Sequence, residues 1–134
     1  MRERLEAALT DGVLERMWAE ILDGWEGASA EEREKAHAFV RCLRDHFLQV
    51  ARDIDDAEDF EMAAVIHYVE LKSVWMRLNT QITHQVQRIG APDPRAMYRA
   101  GLVSCTLSRI EPFLAPEDVE KVTDFLADPL APAG

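Results

Sequence analysis

A length of 134 residues suits one ordinary domain, and an apolar fraction of 48% excludes a globally disordered chain. The formal net charge of −10 repels phosphate backbones and sets nucleic acid aside as a partner. The uncharged apolar run Met62–Val69 is too short to span a bilayer, so no membrane role is expected.

The first segment, residues 1–27, reads as one frayed helix or two pieces. Leu5, Ala8 and Leu9 share a face, and Thr10-Asp11-Gly12 can then end or bend the helix. Leu14, Trp18, Ile21 and Trp25 follow at 4-3-4 spacing, the mark of one buried stripe, and Gly24 and Gly27 close it. Ser29-Ala30-Glu31-Glu32 has the form of a capping box, which predicts a long helix starting at Ala30.

From Ala28 to Ile89 the chain has no glycine and no proline; all six of each lie outside that stretch. Ala36, Val40, Leu43, Phe47, Val50 and Ile54 keep helical 4-3 spacing. Ala64, Tyr68, Leu71, Trp75, Leu78, Ile82 and Ile89 resume it in the same heptad phase. Such phase agreement is what a single coiled-coil helix of about 60 residues would show. The acidic cluster Asp53, Asp55, Asp56, Glu58, Asp59 and Glu61 argues for a break instead, because aspartate is a poor helix former and like charges three or four apart repel. Aspartate is also a good helix-start cap. The favoured expectation is an antiparallel hairpin whose second helix overshoots a compact domain, which calls for a partner chain or a kink near Asn79-Thr80.

Gly90-Ala-Pro-Asp-Pro94 reads as a loop, with Asp93 capping a helix that begins at Pro94. That helix is expected to bury Met97, Ala100, Val103 or Leu102, Leu107 and Ile110, and to end or bend at Glu111-Pro112. A last short helix from Ala115-Pro116 carries Val119, Val122, Phe125 and Leu126. Residues 129–134 read as a mobile tail after a single helical domain over 1–128. The fold class expected is therefore all-α, four to five helices around a long antiparallel hairpin. Cys42 and Cys105 are too few for a disulfide framework and are expected reduced and buried. Their reduced state, and the lack of an apolar signal core in MRERLEAALTDG, point to the cytoplasm.

Two sets of residues carry possible chemistry. A hairpin turning near residue 56 puts His46 opposite His67, with Cys42 one turn before the first and Glu70 one turn after the second. Cysteine, histidine and glutamate are ligands for zinc or iron in helical bundles. The di-iron pattern, however, is represented only by Glu34-Lys-Ala-His37. A histidine inside so apolar a run as that around His67 is more often a hydrogen-bonded core residue, so no cofactor is expected. The second set is the uncharged stretch Asn79–Gln87. Its Asn79, Thr80 and His84 should approach Tyr98 and Ser104 across the Gly90–Pro94 turn, as a pocket or as a charge-free interface.

Sequence signals of catalysis are lacking: there is no Gly-x-Ser-x-Gly, no phosphate-cradling glycine loop and no convergent Ser/His/Asp set. The function expected is that of a small acidic interaction or regulatory module, non-enzymatic and homodimeric. A helical-bundle ligand- or metal-binding protein is the alternative, and an acidic nucleic-acid mimic that inhibits a basic protein is the third.

Overall fold

The computed structural model describes residues 1–23 and 27–127, apart from the side chain of Leu22. These residues form an all-α bundle of six α-helices: α1 Arg2–Ala8, α2 Asp11–Asp23, α3 Ala30–Asp53, α4 Ala57–Ile89, α5 Pro94–Ile110 and α6 Pro116–Ala127. One turn of 3-10 helix, Glu111–Phe113, links the last two. Among the described residues there is no strand. The first segment is thus two pieces, with Leu9 and Thr10 between α1 and α2. Trp25, Gly24 and the 128–134 tail lie outside the described residues.

Caps fix the long elements. Ser29 Oγ accepts the Glu32 amide at 3.0 Å and starts α3. The reciprocal half of the expected capping box is replaced: the Glu32 carboxylate instead accepts from Arg95 on α5 at 3.2 Å. Helix α3 stops at Asp53, and Ile54 is extended at φ −101, ψ 120. Asp56 Oδ1 then accepts the amides of Glu58 at 2.7 Å and Asp59 at 3.2 Å, which starts α4. The acidic cluster therefore turns the chain, and α3 and α4 form the hairpin, not a continuous rod. One carboxylate of that cluster satisfies two helix-start donors that otherwise have no partner within the helix.

Helix α4 runs through Asn79-Thr80 without a break in its helical assignment to Ile89. Asn79 Nδ2 donates to the Trp75 carbonyl at 3.1 Å and Thr83 Oγ1 to the Asn79 carbonyl at 2.9 Å, so these polar side chains fold back on their own helix. With 33 residues, α4 is about 50 Å long. It ends at Gly90, whose φ of 75 is the left-handed cap that glycine adopts without strain. Asp93 caps α5 through the Arg95 amide at 3.0 Å, with Pro94 in the first turn.

Helix α5 is the hub, packed on α1, α2, α3 and α4. It contributes Leu102, Val103, Leu107 and Ile110 to one continuous core with Leu5, Leu9, Leu14, Trp18, Val40, Phe47, Tyr68 and Leu71. Full burial of each such side chain contributes roughly 1.5–3 kcal/mol. Gly101 admits α2 to close range: a methyl group there would sit 3.2 Å from Ile21 Cγ2. Several residues expected inside are not. Met97 is 50% and Phe125 59% exposed, Val50 is at the surface, and burial fades along α4 until Ile89 is 72% exposed. Spacing places these residues on the apolar stripe, but among the described residues no helix covers them fully.

The basic residues Arg41, Arg44 and Arg52 of α3 meet the acidic N-terminal helices in part. Arg44, 5% exposed, pairs with Asp11 at the start of α2 and with Asp45 beside it. Arg52 lies 3.8 Å from Glu6, while Arg41 stays on its own helix with Glu34 at 3.5 Å. The last two pairs are solvated and contribute little. Among the described residues, no helix is long and apolar enough to cross a membrane.

Candidate functional site

The hairpin does bring His46 and His67 to one place. Along the α3/α4 seam runs an apolar groove of ≈ 260 Å³. From α3 it is lined by His46, Phe47, Val50 and Ile54; from α4 by Asp59, Met62, Ala63, Ile66, His67 and Glu70. These α4 residues recur at 3-4 spacing, so they share one helix face. Val50, Met62 and Ile66 are exposed along it, Met62 at 60% and Ile66 at 51%.

His67 is the buried polar group among the residues that line this groove. It is 3% exposed, and its ring lies on Phe47 with centroids 4.3 Å apart and planes 5° from parallel. Neither Nδ1 nor Nε2 has a hydrogen-bond partner. Burial pushes its pKa down to about 4, with the neighbouring His46 adding repulsion, so the ring is neutral at physiological pH. It is therefore not the hydrogen-bonded core histidine that the apolar run around it suggests.

Of the four residues considered for zinc or iron, His46, His67 and Glu70 line the groove and Cys42 does not. Cys42 is exposed, contrary to its expected burial, while Cys105 is half-buried. Glu70 and His46 are exposed beside the buried His67. Among the described residues, no three His, Cys, Asp or Glu side chains are grouped to hold a metal ion.

The second set is divided by the fold. Thr80, His84 and Ser104 are exposed and Asn79 half-buried. Tyr98 is buried, and its hydroxyl is 2.8 Å from His37 Nε2 on α3. It therefore belongs to a different cluster, in which Trp18 of α2 stacks on His37 with centroids 5.0 Å apart and His37 lies 6.0 Å from the Tyr98 ring. Burial pushes Tyr98 up to about 12 and, with Arg41 nearby, moves His37 below its ordinary value. Trp18 Nε1 is buried without a partner. Sequence spacing singled out His37 only as part of Glu-x-x-His. Its partners are 19 residues before and 61 after it, and nothing local signals them. The same holds for Tyr68, whose hydroxyl donates to Glu111 at 2.8 Å.

A second hollow, of ≈ 330 Å³, lies where the start of α3 meets α5, beside Lys35, Arg95 and Arg99. Its cations are largely answered: Arg95 by Glu32, and Lys35 by Glu31 at 3.1 Å. Comparison with family models, with curated proteins and with solved structures finds no match, so the functional argument rests on this chain's own residues.

Proposed function

We propose that the chain is a non-enzymatic interaction module of the cytoplasm that pairs with a second copy of itself through the far end of the α4/α5 hairpin. The observation that carries this is the exposure of Ile89 at 72%, Met97 at 50% and Val86 at 44%. Val86 and Ile89 are three apart and share a side of α4. Antiparallel pairing about the Gly90–Asp93 turn sets Met97 beside residue 87. In the α3/α4 register, in which facing residue numbers sum to about 113, Ala30 comes level with residue 83. The last residues of α4 thus extend about 9 Å beyond the start of α3.

Charge favours a second copy as the occupant. A dimer with twofold symmetry sets the same patch against itself. A chain of net charge −10 repels its own copy over most of its surface. Asn79–Gln87 carries no formal charge, so two copies can approach there without that repulsion. The uncharged stretch beside Val86 has the charge depletion of an interface centre, while Arg88, Arg95 and Arg99 stand close to Ile89 and Met97 in sequence. The two free cysteines suit a reducing compartment.

Sedimentation equilibrium tests the proposal. Wild-type protein at micromolar concentration is expected to show twice the 15.2 kDa chain mass. The Ile89→Glu, Met97→Glu double variant is expected to sediment as a monomer with an unchanged helical circular-dichroism spectrum, because both positions are outside the core. A wild-type monomer would refute the proposal.

A further inference from the structure

We propose that the groove between α3 and α4 binds a small, uncharged ring compound carrying one hydroxyl or N–H group, with His67 as its hydrogen-bonding partner. The site is separate from the self-association surface and does not depend on it.

The argument begins with the cost of His67. A neutral imidazole offers one N–H donor and one acceptor nitrogen. Both are buried without a partner among the described residues. Leaving such groups unmet opposes folding, and a phenylalanine could keep the stack on Phe47 without that penalty. The ring is 3% exposed yet lines an open groove. Both nitrogens are unmet and closed to solvent, so a ligand seated in the groove meets one of them only when the side chains that cover it move aside.

Groove chemistry narrows the ligand class. A volume of ≈ 260 Å³ is just below the usual range of small-molecule sites and suits one or two rings. Val50, Ile54, Met62 and Ile66 supply apolar contact, and Met62 can change shape around different outlines. No lysine or arginine lines the groove, and Asp59 and Glu70 stand at it, so carboxylates and phosphates are repelled. The nitrogens lie on the edge of the imidazole, whose face is occupied by Phe47. A hydroxyl that reaches a nitrogen in the plane of the ring, once the covering side chains have shifted, can therefore bond without breaking the stack.

Phenol, toluene and benzoate are the probes, titrated into full-length protein while the imidazole nitrogen and methyl resonances are followed by NMR. Phenol at millimolar concentration is expected to shift the His67 nitrogens and the Ile66 and Val50 methyls. Toluene should bind about tenfold more weakly, the difference one hydrogen bond makes, and benzoate should not bind. In His67→Phe the advantage of phenol over toluene should vanish. Because that substitution alters the core, Ile66→Trp, at an exposed position, is the second variant and should block both neutral probes by filling the groove. Phenol that leaves His67 unmoved, toluene that equals phenol in the wild type, or binding that survives Ile66→Trp would each overturn the proposal. Sedimentation of the same samples reports self-association independently.

Discussion

The imidazole of His67 on α4 lies flat against the ring of Phe47 on α3, with 4.3 Å between centroids and 5° between planes. That contact ties the two arms of the hairpin together, and it does so with a titratable group whose nitrogens have no partner.

Acid should therefore weaken the fold through His67. Its pKa is about 4 in the folded protein, against 6.5 as the ordinary value. A depressed histidine pKa leaves stability intact above the unfolded value and removes it as pH falls between the two. Protonation of the unfolded chain then favours unfolding by about 2–3 kcal/mol near pH 4.5. Urea midpoints measured from pH 7 downward should show this loss. In His67→Phe the loss should be smaller, the remainder coming from His37, shifted in the same direction, and from the carboxylates. Equal acid sensitivity in both proteins would contradict the assignment.

The turn of the hairpin makes a sharper distinction between neighbours. Asp56 is the residue that caps α4, through two amides, and Asp55 precedes the cap. Asp56→Ala should destabilise by about 1 kcal/mol. Asp55→Ala should fall within about 0.5 kcal/mol of neutral, and relief of charge repulsion biases it toward stabilisation. Urea denaturation of the two variants checks the ranking.

Both tyrosines of the chain are buried and hydrogen-bonded. Burial raises Tyr98 to about 12; burial, with Glu111 beside it, raises Tyr68 further. An ultraviolet titration of the native protein should show almost no phenolate at pH 10, where a free tyrosine is half ionised. Half-ionisation of either ring near that pH would show that it is solvated. Since both folded values lie above the unfolded one, stability from these groups is present below pH 10 and is lost as pH rises past it.

Helix boundaries were legible in the sequence because caps are local: Ser29, Asp93 and Gly90 act on amides or carbonyls within four residues. The acidic cluster was legible as a break for the same reason, although only the geometry distinguishes Asp56 from Asp55. Burial was less legible. Periodicity assigns Val50, Ile89 and Met97 to an apolar stripe, but whether another helix covers that stripe depends on how α5 and α6 cross the hairpin. His46 meeting His67 followed from the turn position. The Trp18–His37–Tyr98 cluster did not, because it joins three helices whose crossing is set by contacts such as Gly101 on Ile21.

Self-association through the end of α4 is the central claim, and the molecular mass in solution tests it most directly. Light scattering on a micromolar sample should give twice 15.2 kDa for the wild type and 15.2 kDa for the Ile89→Glu, Met97→Glu variant. A wild-type mass of one chain, or a dimer that survives both glutamates, would contradict it.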